Sequence, residues 1–137
     1  MGKMDLFRVL IVEDEPLVSM LIGDIVHDTV PSVVIVKTSV KEAKAALCEP
    51  FHFALLDVDV TNGKTYGLAR SLEEMQIAFV FVSGSVREHL PVELRKVPFI
   101  SKPFSDLQIR DVVLRADSRR ARMAGTPPSD TAAHTPA

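Results

Sequence analysis

The chain has 137 residues, nearly half of them hydrophobic (47%), and a formal net charge of −2. That composition excludes wholesale disorder and suffices for one domain with its own core. The near balance of charge excludes a strong field drawing the chain to nucleic acid or anionic membrane.

Residues 1–6 read as a lead-in. "MGKMDLF" lacks the apolar segment of a signal peptide, and Leu6 stands where a myristoylation signal after Gly2 needs Ser or Thr. No apolar run approaches the ~20 residues of a membrane helix, so a cytoplasmic location is expected. The first solid apolar run, "VLIV" at 9–12, meets Glu13 and Asp14. Pro16 suits the first helical position, with Asp14 or Glu15 as cap. Leu17, Leu21 and Ile25, and beside them Val18, Ile22 and Val26, predict a helix. "VVIV" at 33–36 is a second strand. "SVKE" at 39–42 reads as a capping box, with Val40, Ala43 and Leu47 on one helical face. Cys48 is the only cysteine, so no internal disulfide forms, and it reads as a small apolar residue.

"FALL" at 53–56 drives straight into Asp57, with Asp59, Thr61, Asn62 and Gly63 behind it. Leu68, Leu72 and Met75 mark a third helix. "FVFV" at 79–82 ends at Ser83 and Gly84. Val86, Leu90 and Leu94 mark a fourth helix, short or irregular because of Pro91. "VPFI" at 97–100 is a weaker strand, followed by Lys102 and Pro103. "SDLQ" at 105–108 caps a fifth helix with Ile109, Val112, Val113 and Ala116 facing inward. "RADSRRARM" at 115–123 carries four arginines, read as cations facing a helix C-terminal dipole rather than as a nucleic-acid contact. The tail at 124–137, "AGTPPSDTAAHTPA", is expected to be disordered.

The strand runs do not alternate polar with apolar, which suits a parallel sheet covered on both faces. Strand–helix repeated five times with right-handed crossovers gives an α/β fold with helices on both sides. Ligands of such sheets bind beyond the carboxyl ends of the strands. Glu13, Asp14, Asp57, Ser83 and Lys102 all fall there. Singly, Asp14 reads as a helix cap, Ser83 as a turn residue and Lys102 as a solvated charge. Asp57 resists such a reading, because a carboxylate at a buried strand end is costly without a partner. Together they suit Mg²⁺, a hard cation that takes oxygen ligands. Asp14 and Asp57 would ligate it directly, Glu13 directly or through water, and the carbonyl of Asp59 would complete the shell. An unligated Asp57 oxygen then attacks phosphorus, giving an aspartyl phosphate, with Lys102 and the Ser83 hydroxyl on the phosphoryl oxygens.

With these residues placed, the chain from about Phe7 to about Arg120 resembles a response-regulator receiver domain of bacterial two-component signalling. "VLIVEDEP", "FALLDVDV", "FVFVSG" and "PFISKPF" carry the resemblance. It implies a flavodoxin-like (βα)5 fold with strand order 2-1-3-4-5 and a receiver domain over 7–123. It implies Asp57 as phosphoacceptor and Glu13, Asp14, Asp57 and the Asp59 carbonyl as Mg²⁺ ligands. Ser83 becomes the switch hydroxyl, Phe99 the switch aromatic and Lys102 the phosphate contact, with a cis Lys102–Pro103 bond. The implied partners are a histidine kinase or histidine phosphotransfer protein and a downstream protein; the tail at 124–137 is too short to fold into a DNA-binding module, so no DNA-binding output is expected. The implied state is a monomer or a phosphorylation-dependent dimer. The implied chemistry is at most the domain's own phosphorylation and dephosphorylation. Gly84, where the family often has Ala, and Pro91 in the fourth helix depart from the pattern. "FVFVSG" also resembles a subgroup of stand-alone receivers.

"DVDVT" at 57–61 also resembles the first motif of haloacid-dehalogenase-type phosphatases, with Asp57 as nucleophile and Asp59 as acid–base. That family places the motif on its first core strand and its metal-binding acids after the lysine, and neither holds here. A phosphorylation-silent adaptor with a receiver fold is the other alternative.

Overall fold

The structure, a computed structural model, describes residues 6–123. The lead-in before Leu6 and the tail at 124–137 lie outside the described residues. The described chain runs β1 (Phe7–Val12), α1 (Pro16–Thr29), β2 (Ser32–Lys37), α2 (Val40–Ala46), β3 (Phe53–Leu56), β4 (Asp59–Val60), β5 (Gly63–Lys64), α3 (Tyr66–Glu74), β6 (Ala78–Ser83), β7 (Phe99–Ser101) and α4 (Asp106–Met123). Five strands form one sheet in the order β2-β1-β3-β6-β7, all pairs parallel. Counted over these five strands, that is the expected order 2-1-3-4-5.

Alternate residues of each central strand feed two cores. Leu10, Val12, Ala54, Leu56, Phe79 and Phe81 pack on the side of α2 and α3. Val9, Ile11, Phe53, Leu55, Val80 and Val82 pack on the side of α1 and α4. Both faces are covered, so both parities of the pleat are apolar. The second strand departs from this expectation: β2 is an edge strand and only half-buried.

The helices follow their sequence signals unevenly. Ser39 accepts the Glu42 N–H at 3.1 Å and caps α2. Ser105 and Gln108 make both halves of a capping box ahead of α4, at 2.9 and 3.3 Å. In α1, Ile22, Ile25 and Val26 are buried, but Leu17 is 80% exposed and Leu21 also lies largely in solvent. The Leu17 stripe therefore faces outward until Ile25. Met75 lies just past α3 and is exposed.

The fourth helix does not form as an α-helix. Residues 84–98 make two 3-10 turns, Arg87–His89 and Val92–Leu94, the second entered from Pro91. Leu90 and Leu94 are buried and Val86 is exposed. A feature absent from the sequence reading is the β4–β5 hairpin directly after Asp57. Asn62 (φ 75) and Gly63 (φ 125) turn it in the left-handed region that Asn and Gly tolerate best.

Candidate phosphoacceptor site

Glu13, Asp57 and Lys102 lie just beyond the ends of their strands and remain tied to a neighbouring strand. The Glu13 N–H donates to the Lys37 carbonyl at 3.0 Å, and the Asp57 N–H to the Val12 carbonyl at 2.9 Å. The Lys102 N–H donates to the Ser83 carbonyl at 3.0 Å. The sheet ladder therefore fixes the backbones from which the side chains project. Glu13 (1% exposed) and Asp57 are buried, and Asp14 is half-buried beside them. One carboxylate oxygen from each of Glu13, Asp14 and Asp57 lies within 4.8 Å of the others.

The Lys102 ammonium sits among these acids. It donates to Glu13 Oε1 at 2.8 Å and to Asp57 Oδ2 at 3.1 Å, with Glu15 Oε1 at 3.6 Å. The other oxygen of Asp57, Oδ1, accepts the Val58 N–H at 2.7 Å. Glu13 Oε2 accepts the Glu15 N–H at 3.1 Å. Burial pushes the Glu13 carboxyl above its usual range; the bond from Lys102 opposes this, and the charge of Asp57 adds to it. Burial works against the charge of Lys102, yet the bond to Glu13 and the charge of Asp57 outweigh it and raise the ammonium above the usual lysine range.

Three clustered carboxylates against one ammonium leave a surplus of negative charge in a confined space. Such an all-oxygen donor set fits a hard divalent cation, which offsets the repulsion. The carboxylates of Glu13, Asp14 and Asp57 and the ammonium of Lys102 are brought together. Ser83 lies at the end of β6, buried, and its hydroxyl accepts the Ser85 N–H at 3.1 Å. The Asp59 side chain forms an exposed ion pair with Lys64 across the hairpin. Phe99 is half-buried on β7, its ring 6.3 Å from that of Phe81 and 5.8 Å from the Arg87 guanidinium carbon. The Lys102–Pro103 peptide is cis. A Cβ on Gly84 would meet nothing within 4 Å, so no steric demand explains that glycine.

Three residues at or beside the site escaped the sequence reading. Glu15 was read only as a possible helix cap, yet it makes no side-chain cap bond and its carboxylate approaches Lys102. Arg87, within the connection between β6 and β7, lies over Phe99, a contact no local pattern encodes. Thr65, fully buried, donates its hydroxyl to the Asp57 carbonyl at 2.7 Å. A threonine just ahead of a helical pattern was its only visible signal.

No protein-family model and no curated protein matches the chain. Solved structures do. A response regulator receiver domain (CheY-like) from Methylobacillus flagellatus is 18% identical, with 82% of this chain and 99% of that one covered and a TM-score of 0.70. The response regulator REC domain of PhyR from Erythrobacter litoralis is 25% identical, covering 84% and 92%, with a TM-score of 0.70. SdrG from Sphingomonas melonis Fr1 is 33% identical, covering 82% and 98%, with a TM-score of 0.66.

The chain belongs to the response-regulator receiver domains. A receiver domain is a phosphoacceptor module of two-component signalling rather than an enzyme in the usual sense, and it binds Mg²⁺ at an acidic pocket. In this receiver domain Glu13, Asp14 and Asp57 form an acidic cluster. The phosphatase alternative loses its footing. Asp59, its required acid–base, is paired with Lys64 on the hairpin, and Asp57 ends the third strand rather than the first. Among the described residues no helix is long and apolar enough to cross a membrane.

Proposed function

We propose that this receiver domain takes a phosphoryl group onto Asp57 from a histidine kinase or histidine phosphotransfer protein and, once modified, changes its preference for a downstream protein. The observation that carries the reading is the pair of Asp57 oxygens: Oδ1 is held by the Val58 N–H, and Oδ2 lies 3.1 Å from the Lys102 ammonium within an acidic cluster.

Glu13, Asp14, Asp57 and the main-chain carbonyl of Asp59 would hold Mg²⁺. Bound there, the cation would neutralise charge on the carboxylates and on an incoming phosphoryl group. The Asp57 carboxylate attacks phosphorus. An O–P bond forms as the P–N bond to the donor histidine breaks, and the imidazole leaves with the bonding electron pair. Lys102 exchanges a carboxylate partner for a phosphoryl oxygen, keeping its charge matched. The Ser83 hydroxyl, whose oxygen accepts the Ser85 N–H at rest, moves to donate its proton to another phosphoryl oxygen. That movement opens space for Phe99 to turn inward and lose its contact with Arg87. The switch is a population shift, sustained because the phosphoryl group interacts better with one arrangement than with the other.

The test is Mg²⁺-dependent labelling by a small phosphodonor. Wild type acquires one phosphoryl group, and Asp57→Asn or removal of Mg²⁺ abolishes it. Labelling of Asp57→Asn at the wild-type level refutes the assignment. A beryllofluoride titration followed by NMR reports the switch, which fails if the Ser83 and Phe99 resonances do not move.

A further inference from the structure

Thr65 occupies the N-cap position of α3, where a threonine hydroxyl ordinarily accepts an amide of the first helical turn. Here it makes no cap bond. The hydroxyl, fully buried, donates to the Asp57 carbonyl at 2.7 Å and lies 3.4 Å from the Val58 carbonyl. The Thr65 N–H donates to the Val58 carbonyl at 2.9 Å. The excursion 58–64, with its β4–β5 hairpin and Asp59, is therefore closed at its base onto the residue whose carboxylate reacts.

The consequence follows from peptide geometry. The Asp57 carbonyl and the Val58 N–H belong to one planar trans peptide, so fixing the carbonyl fixes the opposite direction of the N–H. That N–H is the donor on Asp57 Oδ1, at 2.7 Å. The Asp57 N–H is already held by the Val12 carbonyl of β1. With Thr65 in place, the main chain is gripped on both sides of the Asp57 side chain, and Oδ2 is left to face Lys102.

We infer that Thr65 is a positioning residue for the phosphoacceptor. Through the Asp57–Val58 peptide it orients the Asp57 carboxylate, and by closing the hairpin it holds the Asp59 carbonyl, so that both are preset for a divalent cation. This rests on the phosphoacceptor reading above. Groups that hold metal ligands from behind typically alter affinity about tenfold or more when lost.

The experiment compares wild type, Thr65→Val and Thr65→Ser. Mg²⁺ alone is titrated against backbone amide shifts, hydrogen exchange of the Val58 N–H is measured without metal, and urea unfolding serves as control. Thr65→Val keeps the shape and removes the donor. It should weaken Mg²⁺ binding about tenfold and speed Val58 exchange by a similar factor, about that of one lost hydrogen bond to a buried group. Thr65→Ser restores the donor and should stay within about twofold of wild type on both readouts. Wild-type Mg²⁺ affinity and Val58 exchange in Thr65→Val would overturn the inference. So would a Thr65→Ser variant as impaired as Thr65→Val, because the threonine would then serve packing alone. If wild type itself binds no Mg²⁺, the phosphoacceptor reading falls, and the metal-free exchange still decides whether Thr65 holds the Val58 N–H.

Discussion

Two connections across the same sheet meet the same requirement in different ways. Between β1 and β2 the chain returns as α1, an α-helix whose interior amides and carbonyls bond to one another. Between β6 and β7 it returns through two 3-10 turns, and Pro91 forbids a continuous helix. The carbonyls left there are met by two crossing arginines. Arg87 donates forward to the carbonyls of Arg95 and Val97, at 2.5 and 3.3 Å. Arg95 donates back to those of Leu90 and Glu88, at 3.0 and 2.9 Å. Side-chain donors can thus stand in for helical amides when each end of a segment serves the other.

The largest test of this contrast sets a buried leucine against an exposed one. Leu94, fully buried within the 3-10 connection, should lose about 3 kcal/mol of stability on truncation to Ala. Leu17→Ala on the outer face of α1 should stay within about 0.5 kcal/mol of wild type. Urea midpoints measure both, and similar losses would mean that the connection carries little of the fold.

The next test lies just past the strand where that connection lands. Lys102→Met strands two buried carboxylates and should cost about 2 kcal/mol at neutral pH without divalent ions, less than the roughly 3–5 of a fully enclosed pair because Lys102 is 18% exposed. Its pH dependence has a definite sign. The folded ammonium holds its proton above the usual lysine range, so its contribution is complete below that range and is lost as pH rises through the folded value. Wild-type stability should therefore fall in strong alkali, and the Lys102→Met curve should lack that fall. The smallest effect concerns the crossing donors. Arg95→Ala should cost about 1 kcal/mol. Arg95→Lys should recover little of it, because an ammonium lacks the fork that spans two carbonyls.

The central strands were legible because "VLIV", "FALL" and "FVFV" are apolar at both parities, as two covered faces demand. "VVIV" looks the same on paper, yet β2 is only half-buried, since a run of β-branched residues does not say whether its strand lies at the edge. In α1 the periodicity offered two adjoining stripes and no means of choosing between them; packing against β1 and β2 chose the one that buries Ile22 and Val26. The acids and the lysine could be located because strand ends are where a chain must leave the ladder. The Asp59–Lys64 pair and the Thr65 hydroxyl were not, although Asn62–Gly63 marks a tight reversal. Both depend on the hairpin folding back, a contact between segments rather than a local pattern.

The two flanks of the sheet bear on how the protein behaves in a crowded solution. β2 follows Pro31 and ends at Lys37, and β7 is three residues long between Pro98 and Pro103. A strand from a second copy seeking to extend the ladder would meet a charge at one margin and prolines, which donate no amide, at the other. The unsatisfied rims of an otherwise very apolar layer are thus poor templates for polymerisation.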